Sequence, residues 1–166
     1  MKLHNKKGFT LVEIMMAVGI STIVLAGAFA VYIAGQKSWH VTTLELDTSL
    51  EASQALEKMV YGVGLQYGLR VAEKDNVVIT NSNTGWTLTY RVPDGITNCF
   101  QYDKNDGTIK HAASPLSGQW LTIAKGVTGS SAVKKGDGVE LSVSYAEQRG
   151  NFSASNRMTT FVAFRN

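Results

Sequence analysis

The sequence predicts an α+β protein in which one long N-terminal helix precedes an antiparallel β-sheet. Two observations support this prediction. Residues 9–61 contain no proline and keep a helical pattern throughout. From residue 77 onward, short runs of β-branched and aromatic residues alternate with turn residues. One helix followed by several consecutive strands is typical of the α+β class.

The composition excludes several classes of protein. The chain has 166 residues, enough for one domain with an appendage, and 44% of them are apolar. A disordered chain would be more polar and more highly charged than this one, which has only 17% charged residues. The single cysteine, Cys99, excludes an internal disulfide scaffold and a multi-cysteine zinc site.

The net charge of +3 belongs to the N-terminus alone. Lys2, Lys6 and Lys7 account for all of it, because residues 9–166 hold 13 basic and 13 acidic side chains. A nucleic-acid interface needs a basic patch or stripe that neutralises phosphates. The sequence shows no such stripe and predicts no nucleic-acid partner.

An apolar segment follows the basic N-terminus. Between Glu13 and Lys37 lie 23 residues without a formal charge. A helix needs about 20 apolar residues to cross a bilayer. The positive-inside rule places the basic end in the cytoplasm, so the chain after about Gly35 should lie outside it. A secretory signal has a shorter apolar region, yet composition alone leaves open a cut near residues 28–34, as it leaves open a plain anchor.

Glu13 is unusual because it lies inside this apolar run. An acidic residue in a spanning helix costs about 2.5–3.5 kcal/mol on insertion scales. A plain anchor gains nothing from that cost. An ionisable group in a membrane segment is a functional candidate by default, and its partner has to be found.

The junction Lys7-Gly8-Phe9-Thr10-Leu11-Val12-Glu13-Ile14 resembles the leader junction of type IV prepilins and pseudopilins. The resemblance extends from residue 1 to about residue 36. It implies that a membrane-bound prepilin peptidase cuts between Gly8 and Phe9, and that the new amine of Phe9 is methylated. It also implies three parts: a leader (1–8), a transmembrane and filament-core helix (9–35), and an extracytoplasmic domain (36–166).

The same resemblance implies how subunits assemble. Glu13 would pair with the N-terminal amine of a neighbouring subunit, and Thr10 belongs to the family's usual flank. A buried charge is tolerated when it is paired. The implied partners are other pilin or pseudopilin subunits, the peptidase, membrane lipid and an inner-membrane assembly platform driven by cytoplasmic ATPases. No cofactor and no metal are implied.

Small residues recur on the apolar helix. Ala26, Ala30 and Ala34 follow one another at intervals of four, a pattern that lets helices approach closely in lipid. This spacing predicts a packing face. Alanine is also simply common in membrane helices, and the sequence leaves that alternative open.

The segment from Gln36 to Val63 reads as an amphipathic continuation of the same helix. We expect one helix from about Phe9 to about Tyr61, ended by Gly62 and Gly64. Such a long helix against an antiparallel sheet is the pilin fold that the resemblance implies. The apolar residues assigned to the outer half are Trp39, Val41, Leu44, Leu50, Ala55, Leu56, Met59 and Val60.

The downstream strands are short. Asn105-Asp106-Gly107 between two of them is a strong hairpin signal. Leu141, Val143 and Tyr145 alternate with serines, which predicts a half-buried strand. Glycines at 126, 129, 136 and 138 suggest an irregular connection. The predicted strands are 77–80, 86–92, 99–102, 108–110, 119–124, 139–145 and 159–164.

The C-terminal residues 158–166 resemble the last strand of minor pilins and minor pseudopilins of the J or W type. Many major pilins close a C-terminal loop with a disulfide, which a single Cys99 cannot do. The sequence therefore favours a minor subunit and does not distinguish pilus from pseudopilus.

Other site motifs are weak. Asp103 to Gly107 is similar to a calcium loop, but its glycine is one position early and the closing glutamate is missing, so a hairpin turn is the better interpretation. His40 and His111 form no zinc-ligand pair. No nucleophile elbow is present. Cys99 is expected to be a buried, inert thiol. Large aromatics usually pack in the core, although Trp39 suits a membrane interface; the tryptophans are Trp39, Trp86 and Trp120.

Three functions follow from the sequence. The first is a structural, minor subunit of a type IV pilus or a type II secretion pseudopilus. The second is a tip-located binding module for adhesion, DNA uptake or exoprotein recognition. The third, a membrane-anchored or secreted enzyme, lacks a convergent polar site in the sequence.

Overall fold

The computed structural model describes residues 8–64, 66–113 and 118–164, with only the backbone of Gln66. The chain divides into two compact units, residues 1–40 and residues 41–166. We describe each unit by itself.

Helix α1 runs from Leu11 to Tyr61 and confirms the prediction of one continuous helix. The glycines at 19, 27 and 35 do not interrupt it. The helix ends where Gly62 and Gly64 adopt φ values of 98° and 64°. Only glycine reaches this left-handed region without strain. The prediction that Gly62 and Gly64 end the helix is confirmed.

The described part of the first unit, residues 8–40, consists of three residues and the first part of α1. Every one of these residues is exposed. The helical hydrogen bonds of the backbone are local, so this segment needs no tertiary contact to be a helix.

The second unit begins with the rest of α1, which has one buried stripe. Its members recur every three or four residues, the spacing that places side chains on one face of a helix. Leu50 was predicted to belong to this stripe, but it is 58% exposed. It lies about half a turn away from the centre of the stripe, because an α-helix has about 3.6 residues per turn. The buried residues are Leu44, Thr48, Ala52, Ala55, Leu56 and Met59.

After α1 the chain makes a two-stranded ladder and two short 3-10 helices. Strands β1 (Gly62–Val63) and β2 (Gln66–Tyr67) pair antiparallel. The 3-10 helices are Leu69–Val71 and Lys74–Asn76.

Within the described residues, a five-stranded antiparallel sheet follows, with its strands in sequence order. The predicted hairpin is present: Asp103 pairs with Thr108, and Gly107 has a φ of 59° in the turn between them. The strands are β3 (Val78–Ser82), β4 (Gly85–Arg91), β5 (Thr97–Asp103), β6 (Thr108–Ala113) and β7 (Leu121–Ala124).

The last strands form a separate three-stranded sheet in the order β10-β9-β8. The strands that the sequence predicted as an antiparallel sheet are thus divided between two larger antiparallel sheets. Strand β8 (Val127–Lys135) pairs with β9 (Gly138–Arg149) and not with β7, which precedes it. Strand β10 (Phe152–Ala163) pairs with β9 along its whole length.

The glycine-rich region was predicted to be an irregular connection, and this is wrong. Gly126 and Gly136 bound β8 and have φ values of 73° and 55°. Gly129 lies at a register shift within the strand. Gly138 begins β9, where the ring of Phe161 and the carbonyl of Val162 leave no room for a side chain. Two of these glycines thus lie in turns, one lies at a bulge and one at a close contact between strands.

One hydrophobic core joins the outer part of α1 to both larger sheets. Trp86 on β4 donates its indole N–H to the Ser130 hydroxyl on β8 at 3.2 Å. Lys58 on α1 donates to the carbonyl of Ile123 on β7 at 3.1 Å. The α+β class and the packing of a long helix on antiparallel sheets are thus confirmed.

Candidate functional site

The apolar surface of residues 8–40 is the most conspicuous feature of the molecule. In a water-soluble protein, large apolar side chains on a helix normally face a core. Here Phe9, Leu11 and Val31 expose 84%, 76% and 74% of their surface. Among the described residues, α1 is long and apolar enough to cross a membrane, and no part of its apolar window is buried within the chain.

Gly8 and Phe9 precede the helix. A Cβ atom at Gly8 would meet nothing within 4 Å. Phe9 is the most exposed of the large apolar residues described. Both residues on either side of this peptide bond are thus exposed within the described part of the chain.

Thr10 and Glu13 hold the first turn of α1 together. The Thr10 amide and hydroxyl both donate to Glu13 Oε2, at 2.9 and 3.0 Å. In return, the Glu13 amide donates to the Thr10 hydroxyl at 3.2 Å. This reciprocal arrangement is a capping box, in which the first and fourth residues satisfy each other's free amides.

The capping box was missed in the sequence. Its signal, a threonine followed three positions later by a glutamate before an apolar run, was present at Thr10 and Glu13. We interpreted Glu13 only as a group awaiting an external partner. The structure gives it an intramolecular role as a helix cap, so its presence does not by itself require a neighbour.

The three alanines predicted to pack, Ala26, Ala30 and Ala34, are exposed. Within residues 8–40 they stay free of tertiary cover. Two other polar side chains in this segment bond to their own helix: Thr22 donates to the Val18 carbonyl at 2.7 Å, and Gln36 to the Tyr32 hydroxyl at 2.7 Å. These bonds satisfy the polar atoms within the helix, which lowers the cost of placing them in an apolar environment.

The other candidates of the sequence analysis lie in the second unit. The suspected calcium loop is the β5–β6 turn, in which Asp103 Oδ1 accepts from the Asn105 amide at 2.9 Å. Within the parts of the chain that the structure describes, no group of three or more His, Cys, Asp or Glu residues could hold a metal ion.

Cys99 is buried and free, as predicted. Burial raises the pKa of its thiol, which disfavours the reactive thiolate. Trp86 is buried in the core, whereas Trp120 is 36% exposed and Trp39 is 74% exposed. Trp39 lies just beyond the apolar run, and its position at a membrane interface stays a prediction.

His111 is a buried histidine that the sequence did not single out as part of the core. Its Nε2 lies 3.4 Å from the Tyr90 hydroxyl, which itself donates to the Tyr67 carbonyl at 2.6 Å. The Nδ1 atom has no hydrogen-bond partner in the described structure. Burial lowers the pKa of His111 and favours its neutral form.

Comparison with known proteins concerns the N-terminal segment. Residues 3–29 match the family model described as the prokaryotic N-terminal methylation motif. No curated protein and no solved structure matches the chain. Residues 3–7 of the match lie outside the described residues, and residues 8–29 contain the capping box and the exposed apolar helix. The N-terminal segment of this chain therefore matches the prokaryotic N-terminal methylation motif, the prepilin-type leader found in type IV pilins and pseudopilins.

Proposed function

We propose that the chain is a structural subunit, of the minor type, of a type IV pilus or a type II secretion pseudopilus. It has no catalytic role of its own and is the substrate of a prepilin peptidase. The observation that carries the proposal is the exposed apolar helix that begins at the methylation motif. Burying such a surface is worth about 25 cal/mol per Å², so it will be covered by lipid or by other helices.

Processing would remove residues 1–8 and leave Phe9 with a free, methylated amine. The peptide bond between Gly8 and Phe9 is suited to this step because no other part of the chain that the structure describes covers these two residues. The basic leader would stay in the cytoplasm and the domain after residue 35 would lie outside it, as the positive-inside rule favours. The first half of α1 would then span the inner membrane before extraction into the filament.

Assembly would bring the Glu13 carboxylate of one subunit to the Phe9 amine of its neighbour. A charge in an apolar phase is costly unless it is paired, so this contact would set the register between helices. The alanines at 26, 30 and 34 would allow adjacent helices to approach closely.

The first test is the mass of the N-terminal peptide of protein extracted from membranes. We expect a chain that begins at Phe9 with one added methyl group. A chain that begins at Met1 would contradict processing. A start near residue 30 would instead indicate an ordinary secreted protein.

The second test separates the two roles of Glu13, the helix cap and the ion pair. Glu13→Gln keeps an oxygen that accepts from Thr10 but loses the charge, whereas Glu13→Ala loses both. We expect both variants to insert in the membrane and both to reduce incorporation into filaments by about a hundredfold or more. Removing one partner of a buried ion pair costs about 3–5 kcal/mol, which sets this magnitude.

A matched control is Glu57→Gln, which neutralises an exposed carboxylate in the outer half of α1. It should assemble normally. If Glu13→Gln also assembles normally and only Glu13→Ala fails, Glu13 acts as a cap and the proposed ion pair is wrong.

A further inference from the structure

A groove of about 440 Å³ lies within the second unit, between the outer part of α1 and the end of β9. Helix residues Asp47, Leu50 and Glu51 form one side of it, and Tyr145 and Glu147 on the strand form the other. Leu50 is the residue that the sequence wrongly placed in the core. At the rim of the groove it offers an exposed aliphatic surface.

The charges in this groove are not balanced. Three carboxylates, Asp47, Glu51 and Glu147, face a single cation, Arg149. The Arg149 guanidinium lies 3.4 Å from Asp47 Oδ2 and 2.8 Å from Glu147 Oε1. Within the described structure Glu51 has no ion pair. Glu51 therefore lacks a nearby counterion. Asp47 and Glu147 share one cation, Arg149.

Tyr145 supplies a second, independent feature. The residue is only 4% exposed and lines the groove. Its hydroxyl makes no hydrogen bond within the described residues, so it is available to a partner that enters the groove. Burial and the negative charge of Glu51 raise the pKa of Tyr145 to about 12. The phenol is therefore protonated at neutral pH and can accept one N–H bond while it donates its own.

We propose that this groove binds a lysine or arginine side chain presented by another protein. The ammonium or guanidinium group would lie between the Glu51 carboxylate and the Tyr145 hydroxyl, and the methylene groups would cover Leu50. This chemistry supplies the missing positive charge, the missing hydrogen-bond partner and apolar cover at once. An anion would be repelled by the surplus carboxylates. A neutral group would leave Glu51 unpaired.

The inference goes beyond the proposed function, because the groove and its charges do not depend on cleavage, methylation or filament formation. The groove is proposed to bind a cationic side chain, whereas the apolar helix is proposed to pack against lipid or other apolar helices. The two proposals can therefore fail separately.

The test uses the full chain in detergent micelles with ¹³C-labelled tyrosine rings, observed by NMR. Tyr145→Phe identifies the Tyr145 resonance. The probe is N-acetyl-lysine methylamide, and the matched neutral probe is N-acetyl-norleucine methylamide, at constant ionic strength. We expect a saturable shift of the Tyr145 resonance with the lysine probe and none with the norleucine probe.

The variants test the origin of that shift. Glu51→Gln should weaken binding of the lysine probe by about tenfold or more, since a hydrogen bond to a charged group contributes about 1.5–3 kcal/mol. Glu45→Gln removes the same charge from an exposed position of α1 outside the groove and should leave the affinity unchanged. Because Glu51 is exposed, its replacement is not expected to affect folding.

Three results would overturn the proposal. One is the absence of a saturable shift, and another is an equal shift with the norleucine probe. The third is tighter binding of putrescine than of the lysine probe, which would indicate a free amine rather than a protein side chain.

Discussion

Residues 8–40 and residues 41–164 differ in what surrounds them, although the same helix passes through both. In the first region every described residue is exposed, apolar ones included. In the second, one face of the helix is buried against both larger sheets. Helical conformation is therefore maintained in two ways: by local bonds and a cap in the first region, and by tertiary packing in the second. The apolar surface that the described residues leave uncovered supports the proposal that lipid or other helices cover it.

Truncating one large apolar residue in each region should have very different effects on stability. Phe100 is fully buried and its ring lies 5.5 Å from that of Tyr90. Phe100→Ala should lower the free energy of unfolding by about 3–5 kcal/mol. Ile23 is 75% exposed, and Ile23→Ala should change it by less than about 0.5 kcal/mol.

Denaturant titration of the full chain in micelles, followed by the fluorescence of buried Trp86, measures both variants. A loss of several kcal/mol in Ile23→Ala would instead show that the first region contributes to the stability of the second.

The second region can be probed through its glycines. Gly85 begins β4 with a φ of 149°, and a Cβ atom there would overlap the Tyr102 carbonyl oxygen. Gly126 has a φ of 73° but open space around it. We expect Gly85→Ala to cost about 3 kcal/mol, from strain and overlap together, and Gly126→Ala about 1–2 kcal/mol, from strain alone.

The same denaturant titration compares the two glycine variants. Equal losses would mean that backbone conformation alone decides the cost, and that the tight contact between β4 and β5 gives way easily.

The buried imidazole of His111 makes the second region sensitive to pH. Burial lowers the pKa of His111 in the folded chain, whereas the unfolded chain takes up a proton below about pH 6.5. The unfolded state then binds more protons, so the free energy of unfolding falls as the pH drops below about 6.5. The slope for one group is at most about 1.4 kcal/mol per pH unit.

Unfolding measured at several pH values, for the wild type and for His111→Phe, isolates this contribution as a difference. The variant should lose less stability between neutral and mildly acidic pH. Parallel pH profiles would show that the buried ring is not the group responsible.

The smallest expected effect lies in the first region, at the helix cap. Thr10→Val keeps the shape of the side chain but removes the hydroxyl, and losing an N-cap costs about 1 kcal/mol. Amide hydrogen exchange in the first turn should become about fivefold faster. Thr22→Val is the control, because that hydroxyl bonds only to a carbonyl within the helix. If both variants exchange alike, the capping box contributes nothing measurable.

Local patterns in the sequence predicted much of this fold. The helix and its glycine stop, the β5–β6 hairpin and the buried thiol of Cys99 all depend on short-range signals. The leader junction was also recognised, because its residues are consecutive.

Other features depend on contacts distant in sequence and could not be predicted in the same way. Ladder pairing extends β10 back to Phe152, although serines and Arg157 interrupt the apolar pattern there. The orientation of Leu50 is decided by which face of α1 meets the sheets. The groove between α1 and β9 forms only when these two elements pack together, and neither segment's sequence predicts that contact. The capping box, by contrast, could have been predicted from the spacing of Thr10 and Glu13 alone.

The two carboxylate oxygens of Glu13 differ in their hydrogen bonds. Both bonds from Thr10 converge on Oε2, so Oε1 carries no hydrogen bond within the described residues. Oε2 therefore serves the helix cap, and Oε1 remains able to accept a bond from another molecule. Within the described residues, Glu13 also has no cationic partner. In the proposed assembly, the Phe9 amine of a neighbouring subunit would bond to Oε1 and neutralise the carboxylate while Oε2 keeps its bonds to Thr10.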